Sequence, residues 1–207
     1  MRSISEKLII VVGVVALVVI IVLIVVLPSI PSSSKSTMPS ASSLSSAASQ
    51  ALGGSWIVNT SMSAVGEVNV ANSSISVTYM NGTKKVTPLS GPAQIPFGST
   101  TLNLGYPVTA YFFYLMSPVN QSIVAIVVYK YSNSTIPSET INYIHGQTGV
   151  APSTSSGLSY FVNETYGYTI LVGSDNNFLV VILGNYTAPS SAYAALASRA
   201  VSLVGGP

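Results

Sequence analysis

Residues Leu8 to Leu27 form a run of twenty without one polar side chain. As a helix, at about 1.5 Å rise per residue, the run is about 30 Å long, the thickness of a bilayer's hydrocarbon core. Arg2 and Lys7 precede it, and Lys35 is the first charge behind it. The positive-inside bias keeps the N-terminus in the cytoplasm and places everything after Pro28 outside. Three readings are open at this point. The run is an uncut signal anchor, or an export signal cut within PSIPSSSKS, or the apolar core helix of an assembly. Its length favours the anchor, since cleaved signals have apolar regions of about 7–15 residues, and no A-x-A cleavage pattern is present.

The rest of the chain is short of charge. Only 6% of the 207 residues are charged, against about 25% in an ordinary domain. After Leu27 there remain Lys35, Lys84, Lys85, Lys130 and Arg199 against Glu67, Glu139, Glu164 and Asp175, so five minus four gives +1. No basic face for nucleic acid can be built from this set. Ser, Thr, Asn and Tyr supply the polarity instead, so stability is expected to depend weakly on pH in acid. That suits an extracytoplasmic protein of an acid-living organism. Cysteine is absent, so no disulfide framework is available and the domain must rest on an ordinary core.

The first residues carry a resemblance. Arg2-Ser3 followed by Ile4 resembles the short basic leader of archaeal type IV pilins. That resemblance covers residues 1–27 and implies cleavage before Ile4, with the apolar helix becoming a filament core. Glu6 would then be the third mature residue, and Pro28 and Pro31 would end the helix. Next comes the segment 28–54, Ser-rich, with Pro28, Pro31 and Pro39 and a Gly53-Gly54 end. Its composition predicts a flexible or O-glycosylated stalk, or a tail that docks on a neighbour as an added strand. In layout (signal, tail, sequon-rich β head) the chain is similar to subunits of crenarchaeal thread filaments. That likeness implies assembly by donated strands.

From Ser55 to Pro207 the pattern is that of a β-rich head domain. SWIVNTS, AVGEVNV and SISVTYM read as short strands. Asn81-Gly82 between SISVTYM and TKKVTPL predicts a two-residue type I′ hairpin turn. PLSGPAQIPFGSTTLNLGYP reads as a loop or irregular edge. VTAYFFYLMS and SIVAIVVYKY are apolar without alternation, which predicts central strands covered on both faces. A short helix is expected near 137–145, with Pro137 in the first turn, Glu139 at its positive end and Gly146 as its stop. LSYFVN, GYTILVG and FLVVILG follow as strands, with SDNN turning between the last two. A closing helix carries Tyr193, Leu196, Ala197, Ala200, Val201 and Val204 on one stripe. A strand–turn–strand–helix order occurs twice, and a duplicated unit is one reading of it. The predicted class is α+β: an antiparallel sheet with two helices on one face, preceded by the N-terminal hydrophobic helix.

Seven Asn-x-Ser/Thr sequons lie behind the apolar run, at Asn59, Asn72, Asn81, Asn120, Asn133, Asn163 and Asn185, none with Pro in the middle. On the exported side they predict N-glycosylation, although Asn and Ser also belong in turns for their own sake. Chemistry is harder to assemble. His145 is the one histidine and suits a helix C-terminus. Glu164 and Asp175 are the nearest acids in sequence. No nucleophile, phosphate-binding or metal motif is present, so no catalytic residue, cofactor or metal is expected. Tyr106, Tyr111, Phe112, Phe113, Tyr114, Tyr160, Phe161, Tyr166 and Tyr168 either line a ligand-binding face or fill the core. Two functions follow. The first is a non-enzymatic glycosylated surface protein that associates with itself or another envelope protein. The second is a membrane-anchored domain that captures a ligand or assists an envelope complex.

Overall fold

A computed structural model describes residues 38–97, 100–165 and 167–205. The apolar run, its leader and the tail up to residue 37 lie outside these residues. Among the described residues no helix is long and apolar enough to cross a membrane.

The chain enters through helix α1 (Ala41–Leu52) and then forms twelve strands and two more helices. The strands are β1 (Ile57–Val58), β2 (Ala64–Asn69), β3 (Ser74–Tyr79), β4 (Lys84–Pro88), β5 (Ala93–Phe97), β6 (Thr100–Gly105), β7 (Thr109–Met116) and β8 (Ile123–Lys130), then β9 (Ser153–Ser155), β10 (Leu158–Thr165), β11 (Tyr168–Asp175) and β12 (Phe178–Gly184). Helix α2 (Thr135–Thr148) follows β8, and α3 (Ser190–Leu203) follows β12. Ten strands make one antiparallel sheet in the order β4-β3-β2-β7-β8-β12-β11-β10-β9, with β1 beside β7; β5 and β6 form a hairpin of their own.

Both faces of the sheet are covered. On one, α1 and α3 bury Leu44, Ala48, Tyr193, Leu196 and Ala197 against Phe113, Ile126, Val180 and Leu171. On the other, α2 and the β5–β6 hairpin bury Ile141, Ile144, Ile95 and Leu102 against Phe112, Val127, Val181 and Val172. This explains the missing alternation. All seven residues of β12 are buried, because a strand covered on both sides has no solvent side to make polar.

The α+β class and the antiparallel β-rich head are as expected, and every position of the predicted closing stripe is buried. Several expectations are corrected. The head holds the two expected helices, but they pack on opposite faces of the sheet rather than on one, since each face of the central strands is apolar. The segment 28–54 is not a continuous flexible linker: residues 41–52 are helical. The Ser40 hydroxyl caps α1 by accepting from the Ser43 N–H at 3.1 Å, and Gly53 ends it at φ +77°. Its apolar positions Leu44, Ala47, Ala48 and Leu52 fall at i, i+3, i+4 and i+8, a helical stripe half of which is alanine. The supposed loop after Pro88 is the β5–β6 hairpin. The β3–β4 turn also differs. The Tyr79 N–H donates to Thr83 O and the Gly82 N–H to Tyr79 O, leaving three loop residues. Only Gly82 among them has positive φ, so the pair makes a longer, bulged turn rather than type I′.

Helix α2 starts two residues before the expected Pro137 and stops at Gly149 in the left-handed region, not at Gly146. The two strand–turn–strand–helix units are β7-β8-α2 and β11-β12-α3. Strands β8 and β12 are antiparallel neighbours, and a two-fold relating them would keep both helices on one face. The helices lie on opposite faces, so the recurrence is one of element order, without that symmetry.

Candidate glycan-bearing end of the sheet

The strand register places the sequons. β2 begins where β7 ends, with Ala64 opposite Phe112. β8 begins and β12 ends at that same end, with Val124 opposite Gly184, and Thr169 of β11 faces Gly184. The loops 59–63, 80–83, 117–122 and 185–189 and the β10–β11 turn therefore share one end. They carry Asn59, Asn81, Asn120 and Asn185, with Asn163 two residues before the end of β10. Five of the seven sequons, scattered over more than a hundred residues of sequence, gather there. Asn72 and Asn133 lie at the opposite end, in the β2–β3 turn and ahead of α2.

Local bonding divides the seven. In four of them the side-chain Oδ1 accepts the backbone N–H of the sequon's own hydroxyl residue. The pairs are Asn59 with Ser61 at 3.1 Å, Asn81 with Thr83 at 3.0 Å, Asn120 with Ser122 at 3.1 Å and Asn133 with Thr135 at 3.0 Å. This is the Asx turn, a side chain standing in for a backbone carbonyl. Asn59 also accepts from the Met62 N–H at 3.1 Å. Its loop touches the Asn81 turn, whose Nδ2 lies 3.5 Å from Ser61 Oγ. Asn185 works differently. Its backbone N–H donates to Ile123 O at 3.1 Å, and its Oδ1 accepts the Ile123 N–H at 2.6 Å. The side chain thus extends the β8–β12 ladder by one rung. Asn163 is embedded in β10 opposite Ile170. Asn72, Asn81, Asn120 and Asn133 are exposed, whereas Asn59, Asn163 and Asn185 are half-buried.

The aromatic residues split between the two sides of the sheet. Tyr111, Phe113 and Tyr160 are buried under α1 and α3, and Phe112, Tyr114 and Phe161 on the other side. Tyr106 is exposed, Tyr168 is half-buried, and Tyr166 lies outside the described residues. They form no common binding face. At the sequon end, Tyr186 meets Trp56 edge-on at 5.2 Å between ring centres, and its carbonyl accepts from the Tyr193 hydroxyl at 2.7 Å. Burial pushes the Tyr193 phenol up to about 12.

The acids do not meet. Glu164 faces Thr169 and Asp175 faces Phe178. Their positions are six residues apart along β11, about 20 Å at strand rise, too far for a shared proton or water. His145 occupies the last turn of α2, and its Nδ1 donates to Val150 O at 2.7 Å. Among the described residues no three His, Asp or Glu side chains come together as a metal site. An apolar cavity of about 40 Å³ lies over Gly66 between β2–β3 and Tyr106, room for about one water, far below the several hundred Å³ of a ligand pocket. A more open groove of about 530 Å³ runs between β6 and α2, with Glu139 as its one carboxylate. No family model, curated protein or solved structure matches the chain.

Proposed function

We propose that the chain is a non-enzymatic, N-glycosylated cell-surface structural protein, a subunit of a surface filament or envelope assembly. Its head domain lies outside the cell, held at the membrane through residues 8–27 unless that run is cleaved. The observation that carries this reading is that four sequons, Asn72, Asn81, Asn120 and Asn133, stand exposed in turns and loops at the two ends of the sheet. Sugars at the two ends would leave the charge-poor flanks between them for protein contact. Hydroxyl and amide groups keep such a surface hydrated at any pH, which suits an exposed envelope layer.

The test is the oligomeric state of the protein released from its own cells without denaturant. Multimers of the chain, or a complex with another envelope protein, are the expected result. A chain beginning at Met38 loses the tail and retains α1, so assembly that depends on the tail falls to monomer there. Monodisperse monomer for the full chain would turn the reading to a membrane-anchored ligand-binding domain.

A further inference from the structure

We infer that Asn72, Asn81, Asn120 and Asn133 are the sequons that carry glycan, and that Asn59, Asn163 and Asn185 stay bare amides with structural duties. The inference rests on the N-glycosylation reading above and assigns it to individual residues.

The transfer forms a bond from Asn Nδ2 to the anomeric carbon of a lipid-linked glycosyl phosphate donor. The anomeric C–O bond to phosphate breaks, the phosphorylated lipid leaves with the bonding pair, and Nδ2 gives up one proton. The acceptor must therefore offer its amide nitrogen to a bulky donor, and afterwards the folded chain must house a sugar at that nitrogen. Asn72, Asn120 and Asn133 meet both conditions, and Asn81 meets them with its Nδ2 held only by a long 3.5 Å bond to Ser61 Oγ; all four are exposed in turns or loops between elements. In Asn81, Asn120 and Asn133, Oδ1 is engaged with the backbone of the hydroxyl residue at 3.0–3.1 Å. That bond fixes the amide plane and places the sequon hydroxyl on the same tight turn.

The other three fail for separate reasons. Asn185 is half-buried and is bonded by backbone and side chain to Ile123. A sugar on its amide would press on the start of β8. Asn163 is half-buried within a strand whose neighbour β11 is seven pairs long. Asn59 is half-buried and accepts two backbone N–H groups, and its loop is bonded to the Asn81 turn through Thr60 and Ser61. The sorting holds whether sugar is added before or after folding. In the first case a chain carrying sugar at these three positions cannot complete the fold and is lost; in the second the donor never reaches them.

The test is glycopeptide mapping of the full chain from its own cells, paired with seven single Asn→Gln variants made in the same host. N72Q, N81Q, N120Q and N133Q are each expected to lose one glycan's mass on a gel. N59Q, N163Q and N185Q are expected to run as the parent does. Glycan at Asn59, Asn163 or Asn185, or bare Asn72, Asn81, Asn120 or Asn133, overturns the assignment while leaving the glycosylation reading intact. No glycan at any sequon overturns that reading itself.

Discussion

Truncating Leu44 to alanine separates a structural α1 from a mere linker. Leu44 is 1% exposed and packs in the core formed by α1, α3 and the sheet. It shares its cluster with the fully buried Ala48, Ala194 and Ala197, small residues with no side chain long enough to fill a void. The lost transfer energy and the cavity left behind together cost about 2–5 kcal/mol. At an m-value of about 2 kcal/mol/M, a 3 kcal/mol loss moves the urea midpoint by about 1.5 M. The same loss lowers Tm by about 6–12 °C for a domain of this size. The assay is urea unfolding of the chain from Met38 onward, followed by tryptophan fluorescence. Trp56 is the one tryptophan and is buried in the same core, so it reports on the perturbed layer. A shift below about 0.3 M would mean that α1 contributes little and that the segment behaves as the flexible stalk its composition suggests.

Asn185→Ala leaves the Ile123 N–H without its acceptor and should cost about 1–3 kcal/mol. Asn185→Asp retains the oxygen and should recover most of that, as read by thermal melts of the unglycosylated chain. Gly184→Ala puts a Cβ 2.6 Å from the Tyr193 hydroxyl and 3.0 Å from Val124, and overpacking of this kind costs about 1–3 kcal/mol; an unchanged Tm would contradict the close packing. The phenol of Tyr193, raised to about 12 by burial, has its folded pKa above the unfolded value near 10. Its contribution is fully present below pH 10 and is lost as pH rises from about 10 to 12, so stability should fall across that window. Desolvation also raises the Asp175 carboxyl, so protonating it favours the folded chain, and a stability curve that collapses between pH 5 and 2 would contradict the expected acid tolerance.

Legibility in the sequence followed how each element is stabilised. β7, β8 and β12 were readable because uninterrupted apolar runs leave few alternatives to a doubly covered strand. α3 was readable from the period of its buried stripe. α1 was hidden because its stripe is only two leucines and two alanines set among serines, and serine-rich composition points to a linker. The signals present were Ser40 ahead of the stripe, the i, i+3, i+4, i+8 spacing of Leu44, Ala47, Ala48 and Leu52, and Gly53 behind it. The β5–β6 hairpin was hidden by Pro96 and its flanking glycines, though Ile95, Phe97, Leu102 and Leu104 are buried. The sequons themselves were plain in the sequence. Their gathering at one end was not, since it depends on strand order and register, and strand pairings between distant segments leave no local signature.

The intact mass of the protein recovered from its own cells, before and after chemical release of N-linked sugar, tests the proposed role most directly. The terminal peptide, read in the same experiment, fixes the mature start and so distinguishes a retained anchor from a cut at Ile4 or within the tail. For the full chain the bare polypeptide is 21.4 kDa. A glycosylated surface subunit should exceed its mature polypeptide mass by several glycans and return to that mass on release. A native mass equal to the bare polypeptide would contradict the glycosylated-surface reading.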